Sequence, residues 1–417
     1  MDTETIISAI HRSPHRGVFA CTGGGSRLIS DLLCVPGASR TVLEAAIPYS
    51  AEAMKAFLHT AEPAKCAEIT ARQMAVAAWQ RATNYADKEG WEDLFGFSCT
   101  ATLATDRPHR GEHRVFFAFH SSAKTASLSV FLKKGTRSRD AEETLTAAIG
   151  LRFLAHVLGI LPMAAGNEAQ RSDRIEVGNC SEVLSGHCAG ASFSAVVAEL
   201  LAPDETLSLR EFTPPAAWRK LFMPRKTAVC VRLPSREEIL PPPQISALFP
   251  GSFAPFHHGH AHMMACAKEI LGTEIALELA VTNVDKPALD YLEIDARLAQ
   301  IAEELGEATV FLTNLPLFRQ KAAFFPHTTF VVGADTMSRI ADPRYSHRNV
   351  KEFARSMRFL EKQDDRFLVF GREADGKFCT LEDIRLPAAL AEICTGVSEA
   401  GFRDDVSSTR IRNGNHE

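Results

Sequence analysis

One stretch near the middle of the chain restricts the fold more than any other: Gly251-Ser252-Phe253-Ala254-Pro255-Phe256-His257-His258-Gly259-His260. An apolar run, Ile245 to Phe249, leads into it. Met263, Met264, Ala267, Ile270 and Leu271 follow at three- and four-residue spacings, with Gly272 placed as a C-cap. The pattern predicts a strand, a glycine-bearing turn and a helix N-terminus. Such a turn suits a phosphate, because Gly251 lets backbone approach closely and the helix start offers free N–H groups and partial positive charge. His257 and His260, three apart, both reach such an anion from the helix start. A histidine-rich loop before a helix and a two-histidine metal site are the alternatives, and no third metal ligand is evident nearby.

The 417 residues suffice for two or three domains with buried cores. A formal net charge of -5 gives no support for a nucleic-acid-binding surface. No run of about 18 apolar residues occurs, so no membrane span is expected. Met1 to Ile10 carry acids and no basic segment, which argues against a secretory signal. Ten cysteines without a C-x-x-C pair read as reduced, buried thiols. A cytoplasmic location is therefore expected. Cys180, His187 and Cys188 lack the paired ligands of a metal site. No internal repeat is evident.

Residues 1–165 read as a first domain. Val18 to Ala20 runs into Cys21-Thr22-Gly23-Gly24-Gly25-Ser26, and Leu28, Ile29, Leu32 and Leu33 give a helical stripe. By itself this glycine turn is a weak ligand signal, equally a structural turn. Ala64 to Ala82 and Ala141 to Leu158 read as helices, and Val115 to Phe119 and Ala126 to Leu132 as strands, so an α/β layered domain is expected. Residues 166–244, punctuated by Pro214, Pro215 and Pro241 to Pro243, read as a linker or an extension packed on a neighbour.

Residues 245–417 read as a last domain. Strands are expected at Ile275 to Val281, Val310 to Leu312, Phe330 to Val332 and Phe367 to Phe370. Asp290 with Glu293 predicts a capped helix whose apolar face is Ile294, Leu298, Ile301 and Leu305. Alternation of strands and helices predicts a parallel, doubly wound sheet with ligands at the carboxyl ends of its strands. The central motif, Lys286, Asp335 and the Ser407 segment all fall at such ends. Lys286 there is either a phosphate-binding or a plain surface lysine, and Asp335 is a ready helix N-cap.

The central motif fills every fixed position of G-x-F-x-P-x-H-x-G-H, the signature of the nucleotidylyltransferase superfamily, which the last domain resembles. The second signature, S-S-T-x-I-R, is present as Ser407-Ser408-Thr409-Arg410-Ile411-Arg412. The resemblance implies a Rossmann-like α/β domain that transfers a nucleotidyl group to an oxygen nucleophile and releases pyrophosphate. It implies catalytic roles for His257 and His260 on the triphosphate, and nucleotide contacts from Gly251, Ser252, Phe253, Gly333, Asp335, Ser407, Ser408, Thr409 and Arg412. Lys286 and Asp335 would contact the acceptor, and Mg2+ would be held mainly by ATP phosphates without a protein metal cage. The Gly333-Ala334-Asp335 element resembles that of nicotinate and nicotinamide mononucleotide adenylyltransferases. The partners implied are ATP and a mononucleotide. Transfer to another phosphate acceptor such as phosphopantetheine, or a non-catalytic pyridine-nucleotide-binding regulator, are the other readings, and homo-oligomerisation is left open.

Residues 10–160 resemble the C-terminal domain of the CinA family, through Cys21 to Gly24, Val35 to Ser39, and Tyr49 with Ser50. Amidases of that family are similar in pairing a serine with an activating lysine. Alignment on the tyrosine puts Ser39 at the serine position but Met54 at the lysine position. Lys55, one residue on, turns about 100° away on a helix. A thioether takes no proton from a hydroxyl, so amidase activity is not expected.

Overall fold

The computed structural model describes residues 2–106, 110–161, 174–177, 193–223, 226–283, 287–343, 350–374 and 377–404. The chain forms two compact units. One comprises Met1–Met223 with Asp285–Leu292, the other Pro224–Val284 with Glu293–Glu417.

In the first unit, β1 (Arg16–Thr22) sends Phe19 and Cys21 into one core, and Val18 and Ala20 into another on its opposite face. That two-sided burial is what an apolar strand needs when helices cover both faces. The other strands are β2 (Val42–Ala46), β3 (Leu94–Thr102), β4 (His113–Ser121), β5 (Thr125–Leu132), β6 (Arg174–Val177) and β7 (Thr206–Phe212). Their order is β2-β1-β3-β4-β5-β7-β6. Only the pairs that β1 makes with β2 and β3 are parallel. Helices Thr3–Arg12, Ser26–Cys34 and Arg139–Val157 contribute Ile6, Leu28, Leu32 and Phe153 to one core. Helices Ala51–Leu58 and Glu68–Thr83 contribute Met54, Phe57, Met74 and Trp79 to the other. The expected α/β layering is present.

The 165 and 245 borders are not where the units part. β7 pairs with β5 from Thr206 to Phe212 and β6 pairs with β7, so both complete the first sheet. β8 (Ala228–Leu233) and β9 (Glu237–Glu238) join the second. Backbone groups of a strand must find partners, and these two runs find them in different sheets. Residues 285–292 also group with the first unit. There the Asp290 carboxylate accepts twice from Arg72 Nη1, at 2.8 and 2.9 Å, and the Tyr291 hydroxyl donates to the carbonyl of Ser122 at 2.9 Å.

The second sheet adds β10 (Ala247–Gly251), β11 (Ala276–Ala280), β12 (Ala308–Thr313), β13 (Thr329–Gly333) and β14 (Arg366–Phe370). The hairpin β15 (Arg372–Ala374) and β16 (Lys377–Cys379) stands apart from it, and β17 (Cys394–Val397) closes one edge. The order is β17-β14-β13-β10-β11-β12-β8-β9. From β17 to β12 all neighbours are parallel, as expected, while β8 runs antiparallel to β12. Leu248, Phe330, Val332, Phe367 and Val369 fill the core on one face together with Met337 and Met357 from helices Ala334–Ala341 and Val350–Lys362. Of the face read from the sequence, Ile294, Leu298 and Ile301 are fully buried and Leu305 is half-buried. Among the described residues no helix is long and apolar enough to cross a membrane.

Candidate functional site

The chain leaves β10 toward β11 and β12 on one side, then returns to place β13 and β14 on the other. The strand order therefore reverses between β10 and β13. In an open parallel sheet the loops beyond this point splay apart and leave a crevice at the strands' carboxyl ends. The segment after β10 is the central motif, and the segment after β13 is Ala334-Asp335.

The turn after β10 is held by aromatic packing. Phe253 is 1% exposed and adopts a positive φ of 44°. Its ring lies 5.4 Å from Phe249, 5.3 Å from Phe256 and 5.4 Å from His260. A Cβ on Gly251 would come within 2.4 Å of that ring, so glycine is required there by packing. Phe253, expected as a nucleotide contact, is thus a buried prop behind His260. Ser252 is exposed, and its carbonyl accepts from Arg297 Nη1 at 2.6 Å.

His257 is the N-cap of helix His258–Leu271, and its ring centroid lies 3.9 Å from that of His260. The backbone N–H of His257 donates to Nδ1 of His260 at 3.3 Å. Nδ1 of the neutral His260 ring is then the acceptor, and Nε2 carries the proton. Among the described residues Nδ1 of His257 is buried without a hydrogen-bond partner. Burial, the neighbouring His258 and the Arg372 guanidinium bring the His257 pKa down to about 4, against an opposing pull from Asp404. Burial, His257 and Arg372 bring His260 down to about 3. Both rings are neutral donors or acceptors near pH 7. A Cβ on Gly259 would stand 3.1 Å from the His257 ring and 3.2 Å from Cγ of Asp404, so this glycine is also set by close approach.

Beyond β13, Gly333 leaves open space among the described residues, since a Cβ there would meet none of their atoms within 4 Å. Asp335, in the first turn of helix Ala334–Ala341, accepts a short hydrogen bond from Arg372 Nη1. Gly333 pairs with Phe370, so β13 and β14 end level, and Arg372 lies two residues past β14. Asp404 lies 3.9 Å from His258 Nε2 and 3.7 Å from His262 Nδ1.

The structure thus brings Gly251, Ser252, Phe253, His257 and His260 together on one turn, and puts Gly333 and Asp335 at the adjoining strand end. Lys286, Ser407, Ser408, Thr409 and Arg412 lie outside the described residues. Arg372 and Asp404 were missed in the sequence. Arg372 carried one usable signal, a charge just past a strand's carboxyl end, the same signal that marked Asp335. Among the described residues no group of three or more His, Cys, Asp or Glu side chains forms a metal cage.

The glycine turn of the first unit is arranged differently. The Glu143 carboxylate accepts from the backbone N–H of Gly25 at 3.0 Å, from that of Arg27 at 3.1 Å and from the Ser26 hydroxyl at 3.1 Å. An internal carboxylate therefore takes the helix-start donors that a bound anion would use. Ser39 is exposed in a short 3-10 turn, Ser50 N-caps helix Ala51–Leu58, and Tyr49 is exposed. Met54 packs in the core beside Val18, Ala20 and Met74.

A comparison with curated proteins found no match. Solved structures similar to part of the chain include a competence-damaged protein (CinA) superfamily protein from Escherichia coli. It is 19% identical, spans 38% of this chain and 91% of that one, and has a TM-score of 0.29. The CinA superfamily protein of Klebsiella pneumoniae is 15% identical over 38% of this chain and 99% of that one, TM-score 0.30. The competence/damage inducible protein CihA of Agrobacterium tumefaciens is 17% identical over 38% and 96%, TM-score 0.30. Residues 248–414 match the Cytidylyltransferase-like family model. The C-terminal part of the chain is therefore a cytidylyltransferase-like domain, of the kind that supports nucleotidyl transfer, and the strand-end site lies inside it.

Proposed function

We propose that the site transfers AMP from ATP to nicotinamide or nicotinate mononucleotide, giving NAD or its deamido form and pyrophosphate. The observation that carries this reading is the His257–His260 pair at the reversal point of the sheet, with His260 Nδ1 tied to backbone and Nε2–H left to donate. An oxygen of the mononucleotide phosphate attacks the α-phosphorus of ATP. The bond from that phosphorus to the bridging oxygen breaks, and pyrophosphate leaves. Charge grows on the α-phosphate oxygens and on the leaving group, so fixed donors placed there lower the barrier without any covalent enzyme intermediate. His257 and His260 supply those donors.

Mg2+ on the triphosphate would supply further charge neutralisation. The donor set fits an ion carried by the phosphates, because Asp335 is engaged by Arg372, and Asp404 faces His258 and His262. The open space at Gly333 and the carboxylate of Asp335 suit a nucleotide sugar, whose hydroxyls donate to a carboxylate. The pyridine base rests on the resemblance of the Gly333-Ala334-Asp335 element. In the first unit we propose no amidase chemistry at Ser39, since Met54 is a buried thioether.

The test is to mix the protein with ATP and Mg2+ and each mononucleotide, with CTP and phosphopantetheine in parallel arms, and to follow pyrophosphate and product by chromatography. Dinucleotide formed by the parent and lost in His260→Ala supports the reading. Pyrophosphate only with another acceptor or with CTP overturns the pyridine assignment. Nucleotide binding without turnover in any arm points to a regulator.

A further inference from the structure

A triphosphate brings several negative charges to the strand ends. Burial leaves both imidazoles of the motif neutral near pH 7, so His257 and His260 meet those charges only as neutral hydrogen-bonding groups. The resemblance assigns one cation to Arg412, outside the described residues, and the described strand ends can supply a further one. Two arginines stand at these strand ends among the described residues with their partners defined. Arg297 is turned to the Glu293 carboxylate, at 3.1 Å from Nε and 2.9 Å from Nη2, and to the Ser252 carbonyl. Arg372 engages Asp335 through Nη1. Asp335 takes Nη1, and a planar guanidinium presents five N–H donors in a fixed fork. Arg372 follows β14, the neighbour of β13, whose other neighbour β10 carries the histidine turn, and its positive charge lowers the pKa of both His257 and His260.

The Arg372–Asp335 pair is half exposed, with side-chain exposures of 37% and 50%. An ion pair so wet adds little to stability. It does, however, join the end of β13, which borders the motif's strand β10, to the end of β14, because β13 and β14 are adjacent and end level. The carboxylate fixes where the guanidinium stands before any ligand arrives, so less ordering is needed on binding.

We propose that Arg372 is a phosphate-binding cation of the transfer site, held ready by Asp335 to take the triphosphate of the nucleotide. The assignment rests on the nucleotidyl-transfer reading for its ligand. It differs from a packing role in its consequences. Removing the guanidinium removes charge-assisted bonds to phosphate, and it also relieves the two histidines of a neighbouring positive charge. Among the described residues the charged and titratable groups that act on the pair are His258, Asp404 and Arg372, with Asp335 acting through Arg372.

The experiment compares the parent with Arg372→Gln and Arg372→Lys. ATP binding with Mg2+ is measured by calorimetry, and the histidine ring protons are titrated by NMR in the ligand-free proteins. Thermal unfolding confirms that each variant is folded. Arg372→Gln should weaken ATP binding about 10- to 100-fold and move the His257 and His260 titrations to higher pH. Arg372→Lys should recover part of the affinity and keep both titrations low. ATP affinity within twofold of the parent in folded Arg372→Gln overturns the proposal, as do unmoved histidine titrations. If no acceptor yields pyrophosphate with the parent, yet Arg372→Gln still loses ATP affinity and shifts the histidines, the transfer reading fails and the assignment of Arg372 stands.

Discussion

The backbone N–H of His257 donates to Nδ1 of His260, and that one bond decides which ring nitrogen of His260 faces outward with a proton. Only Nε2 is left to donate to a phosphate oxygen. His260→Ala should lower the rate of pyrophosphate release about 10²- to 10³-fold, the usual effect of losing one donor to developing charge. His260→Gln, whose amide nitrogen reaches close to the Nε2 position, should recover part of that loss. Steady-state kinetics of both variants, with ATP affinity measured separately, check the expectation.

Acid should destabilise the protein early. His257, His260 and the fully buried His120 all have folded pKa values below the ordinary 6.5, at about 4, about 3 and about 3, with burial the first cause in each. The unfolded chain takes up these protons as pH falls through about 6.5, and the folded chain does not. Stability present above pH 6.5 is therefore lost as pH drops toward 4 and 3. His120→Phe, among the rings of Trp79, Phe222 and Tyr291, should flatten part of the slope. Urea midpoints measured from pH 7.5 to 4.5 give the comparison.

Asp365 should act with the opposite sign. It is fully buried, its Oδ1 accepts from the Thr328 N–H at 3.1 Å, and its Oδ2 has no partner among the described residues. Burial pushes its carboxyl from 3.8 up to about 6. Above pH 6 the folded state holds a charge that the fold disfavours, so its contribution improves as pH falls from 6 toward 4. Asp365→Asn should raise stability at pH 7.5 by on the order of 1 kcal/mol and leave it unchanged at pH 4. Chemical denaturation at the two pH values reads both effects.

Glu278 sits in the apolar strand β11 and is 1% exposed. Lys321 donates to its two oxygens at 2.6 and 2.7 Å, and Thr313 adds a short hydrogen bond. Lys321→Met should cost about 3–5 kcal/mol, because it strands a buried carboxylate. The double variant Glu278→Leu with Lys321→Met should recover most of that loss, since an apolar pair replaces the ion pair without leaving a charge behind. Denaturant midpoints of the single and double variants test this, with an unchanged denaturant slope as the sign that the fold is kept.

Gly259→Ala should reduce turnover more than stability. Its Cβ would press on the His257 ring at 3.1 Å and on Asp404 at 3.2 Å, and it must move one of them. A displacement of His257 of a few tenths of an ångström should cost about tenfold or more in rate. The rate is to be compared with the thermal midpoint of the same variant.

What local chemistry dictates was legible in the chain. An apolar run, two glycines at places of close approach and two histidines three apart define a strand, a turn and a helix start within a few residues of one another. The parallel sheet followed from the alternation of apolar runs with helical stripes. Asp335 was placed at a strand end by the same pattern, and it stands in the first turn of the helix that follows β13; Gly333 came from the resemblance of the Gly333-Ala334-Asp335 element.

The tertiary structure alone decided what depends on distant partners. β7 and β8 are close in sequence, yet they pair in different sheets, because strands far along the chain offer the edges that complete them. Glu143 lies 118 residues from Gly25 and takes the donors of the glycine turn in the first unit, which no local pattern announces. Arg372 meets Asp335 only because β13 and β14 pair in a register that ends them level. Hydrophobic periodicity records which face of an element is buried. It does not record which two strand ends will stand side by side, and that juxtaposition sets the Arg372 guanidinium against Asp335.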